Sequence, residues 1–565
     1  MLHFVFSRFH HHLPKYKVRF NWNTPIVLGQ ANKHHLYTGA QYLYKTTDQG
    51  RKWDKISPDL TTNDKKKQQQ EESGGLSEDN TSAENHCTIF TIAESPLDEH
   101  MVWVGTDDGN IQLTTNGGKT WTNLAKNYAA AGIPSQTWVS SIEPSRYDKN
   151  IAYATFDNHM YGDMKTYIGK TTDGGKTWKM LTSNDFTGYA HKIKEDLVNK
   201  DLLFLGTERG LFATLDGGLN WFRMKNHIPD YCMVRDIQIQ PQTNDLLIAT
   251  YGRGILMIEN ISPIRGLTKE IIDQDVYLFS NKPMAITTGK YGGGGFGIIG
   301  GWNAGNPDDI QPIEYYLKER VNTGDVNIEI YDVTGKLVQS IPGSKRKGIN
   351  QVYWNLRSTP PKVAGGGSKA DYSMFTAPLV MPGTYTVKLK VSEKTYSNTI
   401  QLLHDSNNLA FTLEDRKAQY DAAIRLYNLH EQLYTLVEDI NKKQAQVKET
   451  MDSVKNPRDK KLLTDYNIQL ENLRSTLLAT KHKSIFADEK KLREYISEVY
   501  GSICGQECRP TNLQLDRISV LQTDYKKAEI THKNIENEYG DKVQKIISET
   551  KNKKIGKPET PRSSN

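Results

Sequence analysis

The sequence predicts a mainly β chain: a repeated sheet unit, a second β region and a helical C-terminal region. Three observations carry this. One phrase recurs four times, as Thr46-Thr47-Asp48-Gln49-Gly50-Arg51-Lys52-Trp53, Thr114-Thr115-Asn116-Gly117-Gly118-Lys119-Thr120-Trp121, Thr171-Thr172-Asp173-Gly174-Gly175-Lys176-Thr177-Trp178 and Thr214-Leu215-Asp216-Gly217-Gly218-Leu219-Asn220-Trp221. An apolar hairpin stands directly before each copy, and a fifth hairpin comes later without one. From about Leu413 the apolar period changes from two to three and four. An internal repeat is decisive for architecture, because each copy is one structural unit that buries its apolar face against the next.

The bulk composition fits. Hydrophobic residues make up 37%, with 43 Gly and 29 Tyr, which suits many short strands and turns. Basic residues number 72 and acidic residues 66, a net +6 that gives no argument for nucleic acid. Much of the basic excess lies in solvated tails around His10–Arg19 and Lys551–Lys557. No apolar run reaches about 18 residues, so no transmembrane helix is expected. The apolar start Met1–Ser7 is too short for a signal peptide. Four cysteines are too few for a disulfide scaffold. Cys504 and Cys508 are spaced for a local disulfide, and their state stays open. Zinc would need two further ligands, and none stands nearby with metal spacing. Neither metal nor cofactor is expected.

Residues 1–16 form a tail unlike the rest of the chain. The repeat runs over 17–262. Apolar strands end in Gly-Thr or a close variant at Leu36–Gly39, Val102–Thr106, Ile151–Thr155, Leu203–Thr207 and Leu247–Thr250. Each leads through a polar turn to a second strand with period-two alternation. The repeated phrase has the chemistry of a β-turn: Asp or Asn bonds nearby amides, Gly supplies a positive φ, and Trp buries a large apolar surface. Asp48, Asn116, Asp173 and Asp216, with Trp53, Trp121, Trp178 and Trp221, are therefore expected to be structural. The longest insertion, Thr61 to Asn85, is either a functional loop or a segment without structure.

The pattern Thr-x-Asp/Asn-x-Gly-x-x-Trp resembles the Asp-box, or BNR repeat, of sialidases, sortilins and xyloglucan-cleaving endoglucanases. That resemblance implies a β-propeller with each box on a blade's outer turn, away from the ligand face. Further phrases resemble large bacterial proteins with a sortilin-like propeller, often labelled glycosyl hydrolases. They are Arg19–Ile26, Ile56–Asp64, Glu94–Leu97, Val102–Asn110 and Ala249–Ile255. Those proteins carry more blades and a secretion signal upstream. The chain thus resembles the C-terminal half of one, with a partial propeller of about five blades and a secreted or cell-envelope location. The expected blades are four-stranded.

A linker with Pro263 and Gly266 leads to residues 275–404. Strands are predicted at Val276–Phe279, Val326–Tyr331, Lys336–Val338 and Tyr385–Leu389. This region is similar to the small immunoglobulin-like β-sandwich of flagellar hook-capping and bacterial surface proteins. Gly292–Gly301 lacks the strand–loop–helix context of a phosphate cradle. Residues 410–550 read as a helical hairpin and coiled region. Leu426, Leu429, Leu433, Leu436 and Ile440 form one stripe, and Leu463, Tyr466, Leu470, Leu473 and Leu477 another. Asn456-Pro457 is the turn between them, and a further helix begins after Thr511. Residues 551–565 are expected to be a disordered tail.

The candidate chemistry is sparse. Asp107 and Asp108, in the turn of a blade hairpin, are the candidate catalytic pair, with plain turn chemistry as the alternative. A glycosidase needs two carboxylates at a fixed separation. Asp157, Glu208 and Asp236 are further acids near strand ends. Glu84, His86, His159, Glu208, Arg209, Arg235, Tyr251 and Arg253 are candidate ligand-facing residues. Arg209, Arg235 and Arg253 stand as a candidate carboxylate-binding triad or as inter-blade salt bridges. His191 joins His86 and His159 within the blades. Trp103, Trp138, Tyr161, Tyr251 and Trp302 are candidate platforms for a glycan or peptide. The expected function is a binding module for such ligands, inactive as a catalyst, with the helical region available to a protein partner. The alternatives are a polysaccharide-cleaving glycosyl hydrolase with part of its site elsewhere, and an accessory to protein sorting.

Overall fold

The structure is a computed structural model that describes residues 18–69, 72, 84–225, 228–286, 310–365, 376–406, 408–479 and 489–555. The N-terminal tail, most of the insertion after 72, Gly292–Gly301 and Trp302 lie outside the described residues. The chain divides into two compact units, Met1–Ile272 and Asp273–Asn565.

The first unit is five consecutive antiparallel meanders. Blade one holds β1 (Ile26–Leu28), β2 (Leu36–Gly39), β3 (Leu43–Thr46) and β4 (Asp54–Lys55). Blade two holds β5 (Ile89–Ser95), β6 (Asp98–Thr106), β7 (Ile111–Thr114) and β8 (Thr122–Asn123). Blade three holds β9 (Trp138–Pro144), β10 (Ala152–Asp157), β11 (Tyr167–Thr171) and β12 (Lys179–Met180). Blade four holds β13 (Ala190–Glu195), β14 (Leu203–Thr207), β15 (Gly210–Thr214) and β16 (Phe222–Met224). Blade five holds β17 (Val234–Ile239), β18 (Leu246–Thr250) and β19 (Ile255–Ile258). The first strands of successive blades lie side by side, and all five line one axial cavity. That is the arrangement of a β-propeller arc.

Four blades have the expected four strands and the fifth has three. After β19 the chain enters a helical turn at Ser262–Gly266 with Pro263 at its start, so no return strand forms. The face of blade five away from blade four leaves Ile255 and Met257 exposed. Among the described residues no apolar cluster joins blade one to blade five.

Each repeated phrase lies between a blade's third and fourth strands and folds with one bonding scheme. Thr46 Oγ1 donates to Asp48 Oδ1 at 2.7 Å and accepts from Gly50 N at 3.1 Å, while Lys52 N donates to Asp48 Oδ1 at 2.9 Å. The same three bonds recur around Asn116, Asp173 and Asp216. Each of the last three tryptophans packs on the preceding blade. Trp178 meets Trp103 edge-on with ring centroids 6.3 Å apart, and Trp221 meets Phe186 at 5.4 Å. Trp178 and Trp221 are buried; Trp121 is half-buried, its indole N–H donating to Ile56 O at 3.2 Å. Trp53 is also half-buried; it packs on the small cluster of Ala40 and Tyr44 within blade one, whereas the other three pack on a preceding blade.

In the second unit two sheets enclose one apolar core that includes Ile313, Tyr315, Ile328, Trp354, Val387 and Ile400. One sheet is β20 (Val276–Leu278), β22 (Gln311–Leu317) and β25 (Gly348–Trp354). The other, in spatial order, is β21 (Met284–Ile286), β27 (Lys394–His404), β26 (Gly383–Val391), β23 (Val326–Tyr331) and β24 (Leu337–Pro342). Strands β21, β22, β25 and β27 were not expected from the sequence. The helices are α1 (Leu413–Met451), α2 (Pro457–Leu477), α3 (Leu492–Cys504), α4 (Asn512–Ile535) and α5 (Asp541–Ile555), with a π-helical turn at Glu536–Gly540. Both predicted apolar stripes are buried in the bundle core. Asn456 caps α2 by accepting from Arg458 N at 2.9 Å, and Thr511 caps α4 through a capping box with Gln514. Helix α5 continues to Ile555, past the boundary expected at 551. Cys504 and Cys508 are both free thiols.

Candidate functional site

In an antiparallel meander, alternate connections share one end. The boxed turns lie at the end where the first two strands join: Gly117 N donates to His100 O, Gly174 N to Asn150 O and Gly217 N to Asp201 O. The opposite end collects the turns between second and third strands and the links to the next blade. The candidate catalytic and ligand-facing residues fall there. Asp107 and Asp108 are in the β6–β7 turn, His159 comes after β10, Glu208 and Arg209 are in the β14–β15 turn, and Tyr251 and Arg253 in the β18–β19 turn. Glu84 and His86 lead into β5, and Arg235 is near the start of β17.

Sharing an end does not make these residues one site. Asp107 and Asp108 are both buried. Asp107 accepts from Thr88 N at 2.8 Å, Thr88 Oγ1 at 2.5 Å and Asn21 Nδ2 at 3.3 Å. Asp108 accepts from Thr62 N at 2.8 Å, Thr62 Oγ1 at 2.7 Å and Thr106 Oγ1 at 2.5 Å. Both carboxylates thus tie blade two to the link from blade one. Burial pushes Asp107 up to about 7 despite the bonds from Thr88. His86 stands 3.7 Å from Asp107, and its buried Nε2 has no hydrogen-bond partner. Glu84 is exposed and accepts from Trp22 Nε1 at 3.0 Å. Arg209 lies 3.6 Å from Glu208 and over the ring of Tyr231. Tyr251 and Arg253 are exposed. Of the platforms, Trp103 is wholly buried as blade core, while Tyr161 is exposed and accepts from Lys67 Nζ at 3.1 Å.

A tighter constellation forms where the first strands reach the axis. In blades two to five the pairing register between first and second strands slips by one residue near that end. The extra residues are Phe90, Ser140, His191 and Arg235, and all four line the cavity. A β-bulge re-aims a side chain, and four at equivalent positions form a ring of unlike groups. The cavity is about 540 Å³. Phe90 stacks obliquely on Trp138, with centroids 5.2 Å apart. Ser140 Oγ donates to Thr155 Oγ1 at 2.9 Å. Behind His191 lies buried Asp157, whose Oδ2 is 3.9 Å from His191 Nδ1, while its Oδ1 meets His159 Nδ1 at 2.5 Å. His159 stacks on Tyr189 at 4.5 Å. Burial alone would raise Asp157, but the two imidazoles outweigh it and hold the carboxyl below its usual range. Burial also lowers His191, which favours the neutral imidazole.

Below this ring the walls are ionic. Lys194 Nζ meets Glu143 Oε1 at 2.7 Å, and Lys192 Nζ meets Asp236 Oδ1 at 3.2 Å, each pair bridging adjacent blades. Glu94 accepts from Ala31 N, Asn32 N and Tyr37 Oη, joining blades one and two. Among the described residues no group of three His, Cys, Asp or Glu is placed to hold a metal, and no helix is long and apolar enough to cross a membrane.

Sequence reasoning named Arg235, His191 and Asp236 but missed Phe90, Ser140, Lys192, Lys194 and Glu143 as neighbours of one cavity. The signal was present. In blades two to five the first strand reads apolar–x–polar–apolar, as Ile89-Phe90-Thr91-Ile92, Val139-Ser140-Ser141-Ile142, Ala190-His191-Lys192-Ile193 and Val234-Arg235-Asp236-Ile237. Two residues between buried ones break the period of two, and that break is the bulge.

No family model and no curated protein matches the sequence. Solved structures similar to the chain include an ancestral GH74 enzyme at 12% identity, covering 70% of this chain and 46% of that one with TM-score 0.31. A GH74 enzyme from Niastella koreensis matches at 12% identity over 68% and 54% with TM-score 0.32. The GH74 xyloglucanase from Xanthomonas campestris matches at 14% identity over 66% and 63% with TM-score 0.31. The chain spans about half the length of these structures.

Proposed function

We propose that the propeller unit is a non-catalytic binding module that takes a glycan or peptide ligand at the axial cavity. The observation that carries this is the ring of bulged residues Phe90, Ser140, His191 and Arg235 on one cavity. A concave site with an aromatic wall and a few convergent polar groups is the usual form of a ligand site. Hydrolysis would need a free acid and a second carboxylate. The carboxylates of the cavity wall are instead engaged, Glu143 and Asp236 with lysines and Glu94 with blade one. Asp107 and Asp108 are spent on the blade-one link.

The repeated turns support assigning the module to the Asp-box propellers, and the two-sheet region after it is proposed as an immunoglobulin-like accessory domain. On the same resemblance the protein acts in the secreted or envelope compartment, within a longer propeller. The helical region is proposed to meet a protein partner, with Leu513 and Ile530 exposed on α4.

The test is a glycan array and a peptide array probed with the 565-residue chain, alongside release of reducing ends from the glycans bound. Binding without turnover is expected. Turnover that vanishes in an Asp107→Asn, Asp108→Asn double variant would replace this reading with the hydrolase one.

A further inference from the structure

We propose that the cavity selects a saccharide bearing a carboxylate, with Arg235 as the carboxylate receptor and His191 as its hydroxyl-reading neighbour. This rests on the binding-module reading of the same cavity.

The first ground is charge. Four cations line the cavity: Arg146, Lys192, Lys194 and Arg235. Lys192 and Lys194 are neutralised by Asp236 and Glu143. Arg146 sits at the far turn, where Glu195 Oε2 accepts from its backbone N–H at 2.8 Å and the guanidinium acts on that same carboxylate. Arg235 forms no ion pair among the described residues; its neighbours are the Tyr189 hydroxyl and the His191 ring. A half-buried guanidinium without an anion carries an uncompensated desolvation cost. A planar carboxylate matches its paired donors and removes that cost.

The second ground is the neighbours. The neutral His191 ring offers one donor and one acceptor, the pairing that reads a hydroxyl. Phe90, backed by the ring of Trp138, gives the cavity an aromatic patch two blades round from His191, where the apolar face of a sugar ring can rest. The remaining lining sets Gln238 and the two ion pairs beside apolar residues such as Ile92 and Ile142. A wall of mixed polar and apolar groups suits the two kinds of surface that a sugar ring presents. The cavity of about 540 Å³ is of a size for one or two sugar rings.

The experiment is calorimetric titration of the full chain with oligogalacturonate, its methyl ester, a neutral cello-oligosaccharide and a peptide with a free C-terminus. The acid is expected to bind at least about tenfold more tightly than its ester, as loss of one charge-assisted pair requires. Arg235→Gln should bring the acid-to-ester affinity ratio down to about one, and Arg235→Lys should restore part of it. Thermal unfolding of each variant checks that it folds, and the acid–ester comparison on the parent protein needs no variant. Equal binding of acid and ester would overturn the carboxylate assignment and leave the binding-module reading standing. Binding of the peptide alone would overturn the saccharide class. Binding of none of the four would count against both.

Discussion

At the scale of single residues, the first copy of the repeated turn departs from the others. Gly117, Gly174 and Gly217 hold φ of +71°, +70° and +68°, and Gln49 occupies the same position at +61°. A side chain there costs roughly 1–2 kcal/mol, while glycine brings a smaller entropic cost of about 0.5–1. Gln49→Gly should therefore stabilise the propeller by about 0.5–1 kcal/mol, read from its urea midpoint; a loss of stability would mean that the Gln49 side chain makes a contact of its own. Asp107 makes a pH-dependent contribution of definite sign. Its native pKa of about 7 lies above the unfolded value of about 3.9. The native state thus holds the extra proton between these values. The contribution is fully present below about pH 4 and is lost as pH rises through 7. Asp107→Asn should remove this downward slope, so the urea midpoints of parent and variant should converge or cross between about pH 4 and 7. A difference independent of pH would show that the buried carboxyl titrates normally.

At the scale of elements, one turn chemistry is used four times with graded tertiary support. Trp178 is buried against the preceding blade and Trp53 is half-buried at the start of the arc. Trp178→Ala should cost about 3–5 kcal/mol, as truncation of a large buried aromatic does. Trp53→Ala should cost clearly less, because fewer packed atoms are lost. Denaturant midpoints of the two variants measure the ratio, and equal losses would contradict the graded packing. The bulged strands show a second use of repetition. Each keeps its buried apolar residues and inserts one residue that turns to the axis. The blade core and the cavity lining are thereby set by different positions of the same strand.

At the scale of the molecule, the two units have separate cores. The propeller clusters contain residues up to Ile264, and the sandwich and bundle clusters begin at Val276. Units with their own cores unfold as separate cooperative transitions. Differential scanning calorimetry should show at least two transitions, and Trp178→Ala should lower only the one belonging to the propeller. A single transition displaced as a whole would mean that the units are energetically coupled. Within the second unit the sandwich and the helices are joined by buried bonds. Arg416 Nη2 donates to Ile286 O at 3.2 Å and Tyr500 Oη to Thr376 O at 3.0 Å. These two layers should melt together.

The repeat, the position of each turn and the helical stripes were legible in the amino-acid order alone. Those features rest on local chemistry: an Asx-type turn needs only residues a few positions apart, and an apolar stripe only a fixed spacing. The same order limited the candidate catalytic and ligand-facing residues to one end of the blades, since strand alternation dictates which connections share an end. Which of them meet was settled by tertiary packing. Asp107 and Asp108 look like a free turn in sequence, yet Thr62 and Thr88 reach them from the link before β5 and consume both. Phe90 and Arg235 stand 145 residues apart and face one cavity only because each blade's first strand turns one residue to the axis. Strands β21, β22, β25 and β27 went unread because β21 is only three residues long and the others carry polar residues such as Gln311, Asn350 and Thr399 whose places are set by their pairing partners.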